Sequence, residues 1–83
     1  MENYVRAHIR LNSISDIKRF VEQLNSDGSI NYYVFECADG SERLNARSVN
    51  KVTNMAADYS DEMYLVNLTV DGEFPSFINE YRI

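Results

Sequence analysis

A chain of 83 residues makes one domain, spanning residues 1–83, and a domain of that size buries only about 60 % of the surface its unfolded form exposes. With 45 % hydrophobic residues, six Tyr and four Phe, the composition excludes a disordered chain. The net charge of −5 argues against nucleic acid as a partner, and one cysteine, Cys37, excludes an internal disulfide.

Small secreted domains are usually stapled by disulfides, so a reducing compartment fits this one better. The opening string MENYVRAHIRL lacks an apolar signal core, and no stretch approaches the ~20 apolar residues of a membrane span. The expected location is cytoplasmic, with no membrane partner. All three glycines follow aspartate, at Asp27-Gly28, Asp39-Gly40 and Asp71-Gly72. Asp-Gly supplies the positive φ of tight turns, so these pairs mark element boundaries.

Residues 4–11 alternate. Val5, Ala7, Ile9 and Leu11 share one side, and Tyr4, Arg6, His8 and Arg10 share the other, which predicts a half-buried strand. Ser13 followed by Asp16 is a helix-capping pattern. Ile14, Ile17, Phe20, Val21 and Leu24 then recur at helical spacing, opposite Lys18, Arg19, Glu22 and Gln23, so an amphipathic helix should run to about Asn25. The β-rich residues 29–37 and a short strand over 42–46 should form a hairpin through Asp39-Gly40. Ser48 can cap a second helix whose apolar stripe is Val49, Val52, Met55 and Ala56. A loop over 58–61, a fourth alternating strand over 63–70 and a short helix built on Phe74, Phe77, Ile78 and Tyr81 complete the chain, with Pro75 tolerated in that helix's first turn. The expected fold is α+β, in the order β-α-β-β-α-β-α: a four-stranded antiparallel sheet with three helices on one face and the other face open.

This order resembles the histidine-containing phosphocarrier (HPr) family of the bacterial sugar phosphotransferase system, an open-faced β-sandwich. The resemblance covers residues 5–80. Its most specific part is Asp39-Gly40-Ser41-Glu42-Arg43-Leu44-Asn45-Ala46-Arg47-Ser48-Val49, similar to the family's Asn-Gly turn, short strand and Lys-Ser-Ile helix start; Phe20-Val21 resembles a Phe-Val pair in its first helix. The departure is equally informative. Aligned on Phe20-Val21, Ser13 stands at the family's phosphoaccepting histidine, Ser15 at its arginine and Asp16 at its proline, so the Gly-(Leu/Ile)-His-x-Arg-Pro-Ala motif is absent. A serine phosphate is a stable ester that is not handed forward. The resemblance therefore implies a relative not competent as a carrier and not an enzyme.

Ser48 aligns with a serine that is a regulatory phosphorylation site in Gram-positive members, whose phosphorylated form binds a transcription regulator. A subgroup without the active histidine keeps that serine. By the resemblance, Ser48 is a candidate regulatory residue, Arg47, Val49 and Val52 are candidate contacts, and the partner is a protein such as a transcription regulator or kinase. The residue type alone is explained more simply by helix capping. Asn50 and Lys51 dilute the apolar patch after Val49.

Two further readings remain open. His8 could be a displaced phosphoacceptor, although a lone strand histidine facing away from the core is more simply a surface residue. The open sheet face, where Arg6, His8 and Arg10 join either Tyr32 and Val34 or Tyr33 and Phe35, could serve a partner or a homodimer. No metal or cofactor is expected: Asp58, Asp61 and Glu62 lack calcium-loop spacing, and one His and one Cys do not make a zinc site. Cys37 reads as a small strand hydrophobe. Asn67-Leu68-Thr69 matches a glycosylation triplet but falls within a strand.

Overall fold

The computed structural model describes residues 4–27, 31–59, 62–69 and 72–83. Its elements are β1 (Arg6–Ile9), α1 (Ile14–Ser26), β2 (Tyr33–Cys37), β3 (Arg43–Asn45), α2 (Val49–Tyr59), β4 (Met63–Asn67) and a closing 3₁₀ segment (Ser76–Glu80). The strands form one antiparallel sheet in the order β1-β4-β2-β3. β2 and β4, in the middle, are the two most buried strands. The expected α+β class and four-stranded sheet are present.

The third helix is a correction. Phe74, Phe77, Ile78 and Tyr81 have helical spacing, but Pro75 is extended (φ −66°, ψ 152°) and the segment after it is five residues of 3₁₀ structure. Among the described residues the fold therefore has two α-helices. The reason lies in where the chain goes next. Tyr81 accepts a backbone bond from Arg10 N (2.8 Å), Ile83 N donates to His8 O (3.0 Å), and Arg82 bridges Ile9. The C-terminal residues thus lie against the outer edge of β1, covering backbone groups that an edge strand otherwise exposes. The other strand and helix boundaries shift by a few residues; the expected positions at 28–30, 60–61 and 70–71 lie outside the described residues.

Packing follows from the period of two in the strands. Ala7, Ile9, Tyr33, Phe35, Met63 and Leu65 point to one side of the sheet and meet Ile17, Phe20, Val21 and Leu24 of α1 and Val52 and Met55 of α2 in a single core. Phe20 is its hub, with ring centroids 5.5 Å from Phe35, 5.6 Å from Phe77 and 5.1 Å from Tyr81. Ile14, expected in the apolar stripe, is instead 60 % exposed at the first position of α1. Val5 is likewise exposed, ahead of the first β1 residue.

Two local features fix the turns. Gly40 has φ 74°, the left-handed conformation expected of the Asp39-Gly40 turn, and its N–H donates to Cys37 O (2.9 Å). Asn67 is fully buried, its Nδ2 donating to Glu73 O (2.9 Å) and its Oδ1 accepting from Thr69 N (2.9 Å). Its amide is committed to the core side of the chain reversal, and Gly72 lies so close to it that a Cβ there would overlap the amide.

Candidate functional site

The resemblance places its key position at the tip of α1. Ser13 is the N-cap, extended (φ −152°, ψ 165°), and its Oγ accepts from Asp16 N at 3.1 Å. Asp16 Oδ2 accepts from Asn12 N (3.2 Å), and Ser13 O accepts from Ile17 N (3.1 Å). The Ser13 hydroxyl therefore caps one of the helix's N-terminal donors, the Asp16 N–H, while the Asp16 carboxylate ties back the N–H of Asn12 ahead of the cap. The Asp16 charge sits where the helix dipole favours an anion, with Arg19 Nη2 3.5 Å away. Ser15 is exposed on the first turn.

Ser48 is half-buried at the start of α2. Its carbonyl accepts from Val52 N (3.0 Å) and its Oγ from Lys51 N at a long 3.4 Å. The hydroxyl is thus a weak cap at a helix start, where added negative charge would be favoured. Val49 is half-buried beside it and lines an open cleft with Lys18, Val21, Glu22, Asn25 and Ser26 of α1. A second, more apolar cleft lies at the other end of the helix pair, lined by Leu11, Ser13, Ile14, Ile17, Thr53 and Ala56. Both clefts draw on residues of α1 and α2, with Val49 in the first and Ile14 in the second.

Arg47 and Val52 have other occupations. Val52 is completely buried and supports this surface from beneath. The Arg47 guanidinium turns inward: Nη1 donates to Leu24 O (2.6 Å), Nη2 donates to Asn31 O (3.2 Å), and its carbon lies 5.3 Å from the Tyr33 ring centroid. The last turn of α1 holds no basic residue, so Arg47 brings to that helix end the positive charge its dipole favours.

His8 faces away from the core and stacks on Tyr64, with centroids 4.5 Å apart and planes 15° apart. Around it is a cluster that sequence reasoning missed. Glu36, mid-strand in β2 with its side chain 11 % exposed, accepts from Arg6 Nε (3.0 Å) on one oxygen and from Arg43 Nη2 (3.0 Å) on the other. Arg6 also donates to Cys37 O (3.4 Å) and Ala38 O (3.1 Å), and its guanidinium carbon lies 3.9 Å from the Tyr64 ring centroid. Of the two residue sets considered for this face, it is the one containing Val34, with Glu36 continuing the same alternation.

Cys37 is buried, but it is more than a space-filler: Sγ donates to Asp39 Oδ1 (2.9 Å) and accepts from Glu42 N (3.4 Å). The thiol first, and the Ser41 N–H that also donates to Asp39 Oδ1 (2.9 Å) second, lower the pKa of the Asp39 carboxyl from 3.8 to about 2. A depressed carboxylate contributes stability that is complete above its unfolded pKa and lost as pH falls toward the folded one. The stability difference between wild type and Asp39→Asn should therefore shrink as pH is lowered from 3.8 to about 2. Denaturant midpoints across that range check this; a difference constant with pH contradicts it. Elsewhere, the Tyr81 hydroxyl raises Arg19 by accepting from it, and Glu42 nearby raises Tyr59 by repelling its phenolate form. Among the described residues no three His, Cys, Asp or Glu side chains gather as metal ligands, and no helix is long and apolar enough to cross a membrane. Asp61 of the acidic loop lies outside the described residues.

Compared with known proteins, the chain matches no family model, no curated protein and no solved structure.

Proposed function

We propose that this chain is an HPr-like binding module that does not carry phosphoryl groups, docking on a protein partner through the α1–α2 surface, with Ser48 as its point of regulation. The observation that carries the proposal is the tip of α1. A hydroxyl stands where the resemblance requires an imidazole, and it is engaged as a cap to Asp16 N (3.1 Å). Phosphoryl relay needs a phosphoimidazole or a bond of comparable reactivity; a serine ester at this position would be a dead end, and the Asp16 carboxylate repels the incoming anion.

The docking half of the proposal is supported by the two open clefts and by Ile14, a large apolar residue 60 % exposed with no structural task in the core. Ser48 lies at the edge of the cleft that contains Val49. A phosphate there would add acceptor oxygens for a partner's arginines without displacing a strong existing bond, because its present cap bond is long, at 3.4 Å. Arg47 and Val52 serve this surface indirectly, by holding the end of α1 and by filling the core.

The test is incubation with the general phosphotransferase enzyme and labelled phosphoenolpyruvate at neutral pH. No acid-labile label is expected on the chain. Stoichiometric acid-labile label would overturn the proposal, and its loss in His8→Ala would establish His8 as a displaced acceptor.

A further inference from the structure

The side of the sheet opposite the helices carries a charge arrangement that runs against the rest of the molecule. Across β1-β4-β2-β3 the register aligns His8, Tyr64, Glu36 and Arg43 in one row and Arg6, Val66, Val34 and Asn45 in the next. Glu36 is the only acidic residue in the four strands, against Arg6 and Arg43, so the strands hold a net +1. The whole chain is −5, which leaves −6 for everything else. The geometry points to this open face as a docking surface for an acidic segment of a partner protein, gripped by Arg6 and Arg43 on either side of Glu36.

Three features favour that occupant. First, the two guanidiniums share one carboxylate, which anchors them without neutralising both. Their side chains remain 38 % and 53 % exposed while Glu36 is 11 % exposed, so the positive groups face outward and the negative one lies beneath. Second, the grip is already in place. Arg6 is fixed by Glu36, by two backbone carbonyls and by the Tyr64 ring, so little of its rotamer freedom is left to lose on binding. Third, the face is small. Four strands ~4.8 Å apart and three to five residues long present on the order of 300 Å² of flat area, far below the ~800 Å² per partner of a stable dimer. A short extended segment fits the area and the charge; the −6 elsewhere opposes the long polyanion of a nucleic acid.

This surface lies across the sheet from Ser48 and does not depend on the α1–α2 reading. The test uses a fluorescein-labelled peptide of alternating Glu and Thr, its Gln-Thr counterpart and a labelled oligothymidylate, with anisotropy read at low and at physiological salt. A ¹⁵N-labelled sample maps the contact. The Glu peptide is expected to bind, more weakly as salt rises, and to shift the amides of Arg6, Glu36, Arg43 and Tyr64. Arg43→Gln, on an exposed edge strand, should weaken it about five- to tenfold with the circular dichroism spectrum unchanged. Arg6→Gln gives the same reading from the opposite side of Glu36. Equal binding of the Glu and Gln peptides, no binding of either, tighter binding of the oligothymidylate, or amide shifts confined to the helices would each overturn the inference.

Discussion

Phe20→Ala should cost about 3–5 kcal/mol and leave the chain at or beyond the edge of folding. Phe20 is fully buried, and its ring meets Phe35 of β2, Phe77 of the 3₁₀ segment and Tyr81 of the C-terminal residues, all within 5.6 Å between centroids. It joins β2 to the 3₁₀ segment and the C-terminal residues that follow it. Removing it forfeits the transfer energy of the ring and opens a cavity that the sheet, held by its ladder, cannot collapse to fill. At ~0.05–0.15 kcal/mol per residue, a domain of this length has a total stability of only about 4–12 kcal/mol, so the loss is a large share. Thermal unfolding by circular dichroism should show a midpoint lower by at least ~12 °C, or no cooperative transition. Phe20→Leu, which keeps most of the volume, should retain a transition. An alanine variant within a degree or two of wild type would mean that the core is not organised around this ring.

Arg47→Ala is the second large effect, expected at about 2–3 kcal/mol. The sequence placed Arg47 beside Ser48 as a partner contact, whereas its guanidinium is occupied with Leu24 O (2.6 Å) and Asn31 O (3.2 Å). Those are charge-assisted bonds to the carbonyl end of α1 and to the approach to β2, so the side chain ties the first helix to the central strand. Lysine offers a single point charge without the planar fork and should recover only part of the loss. Denaturant unfolding of the Ala and Lys variants reads this directly. An Arg47→Ala variant as stable as wild type would return the residue to the surface for partner use.

The local grammar of this chain was legible, and its long-range pairing was not. The Ser13 cap, the stripe of Ile17, Phe20, Val21 and Leu24, and the Asp39-Gly40 turn each rest on a few adjacent residues, and each is present as expected. The 74–81 segment misled because helical spacing of apolar residues says which side packs but not whether the backbone can continue; an extended Pro75 and the pull of the β1 edge left one 3₁₀ stretch. Ile14 misled in the same way, since periodicity counts it into the stripe although it lies exposed at the first position of α1. The Glu36 cluster had no local signal at all. Its partners are 30 residues upstream and seven downstream, and they converge only through the strand order β1-β4-β2-β3. At Ser48 and Val49 the sequence marked a helix start, and the structure adds the cleft that α1 provides beside it.

The proposed function rests on a helix tip that carries a capping hydroxyl and a carboxylate where the resemblance requires an imidazole. Titration of the ¹⁵N-labelled protein with inorganic phosphate measures this most directly, through the amides of residues 12–17. The account predicts no saturable shift at these amides, because the Asp16 carboxylate already supplies the negative charge at this helix start and repels a second anion, while Ser13 Oγ holds the Asp16 N–H. A saturable shift centred on Ser13 to Ile17 would show an open anion site at the start of α1 and contradict it.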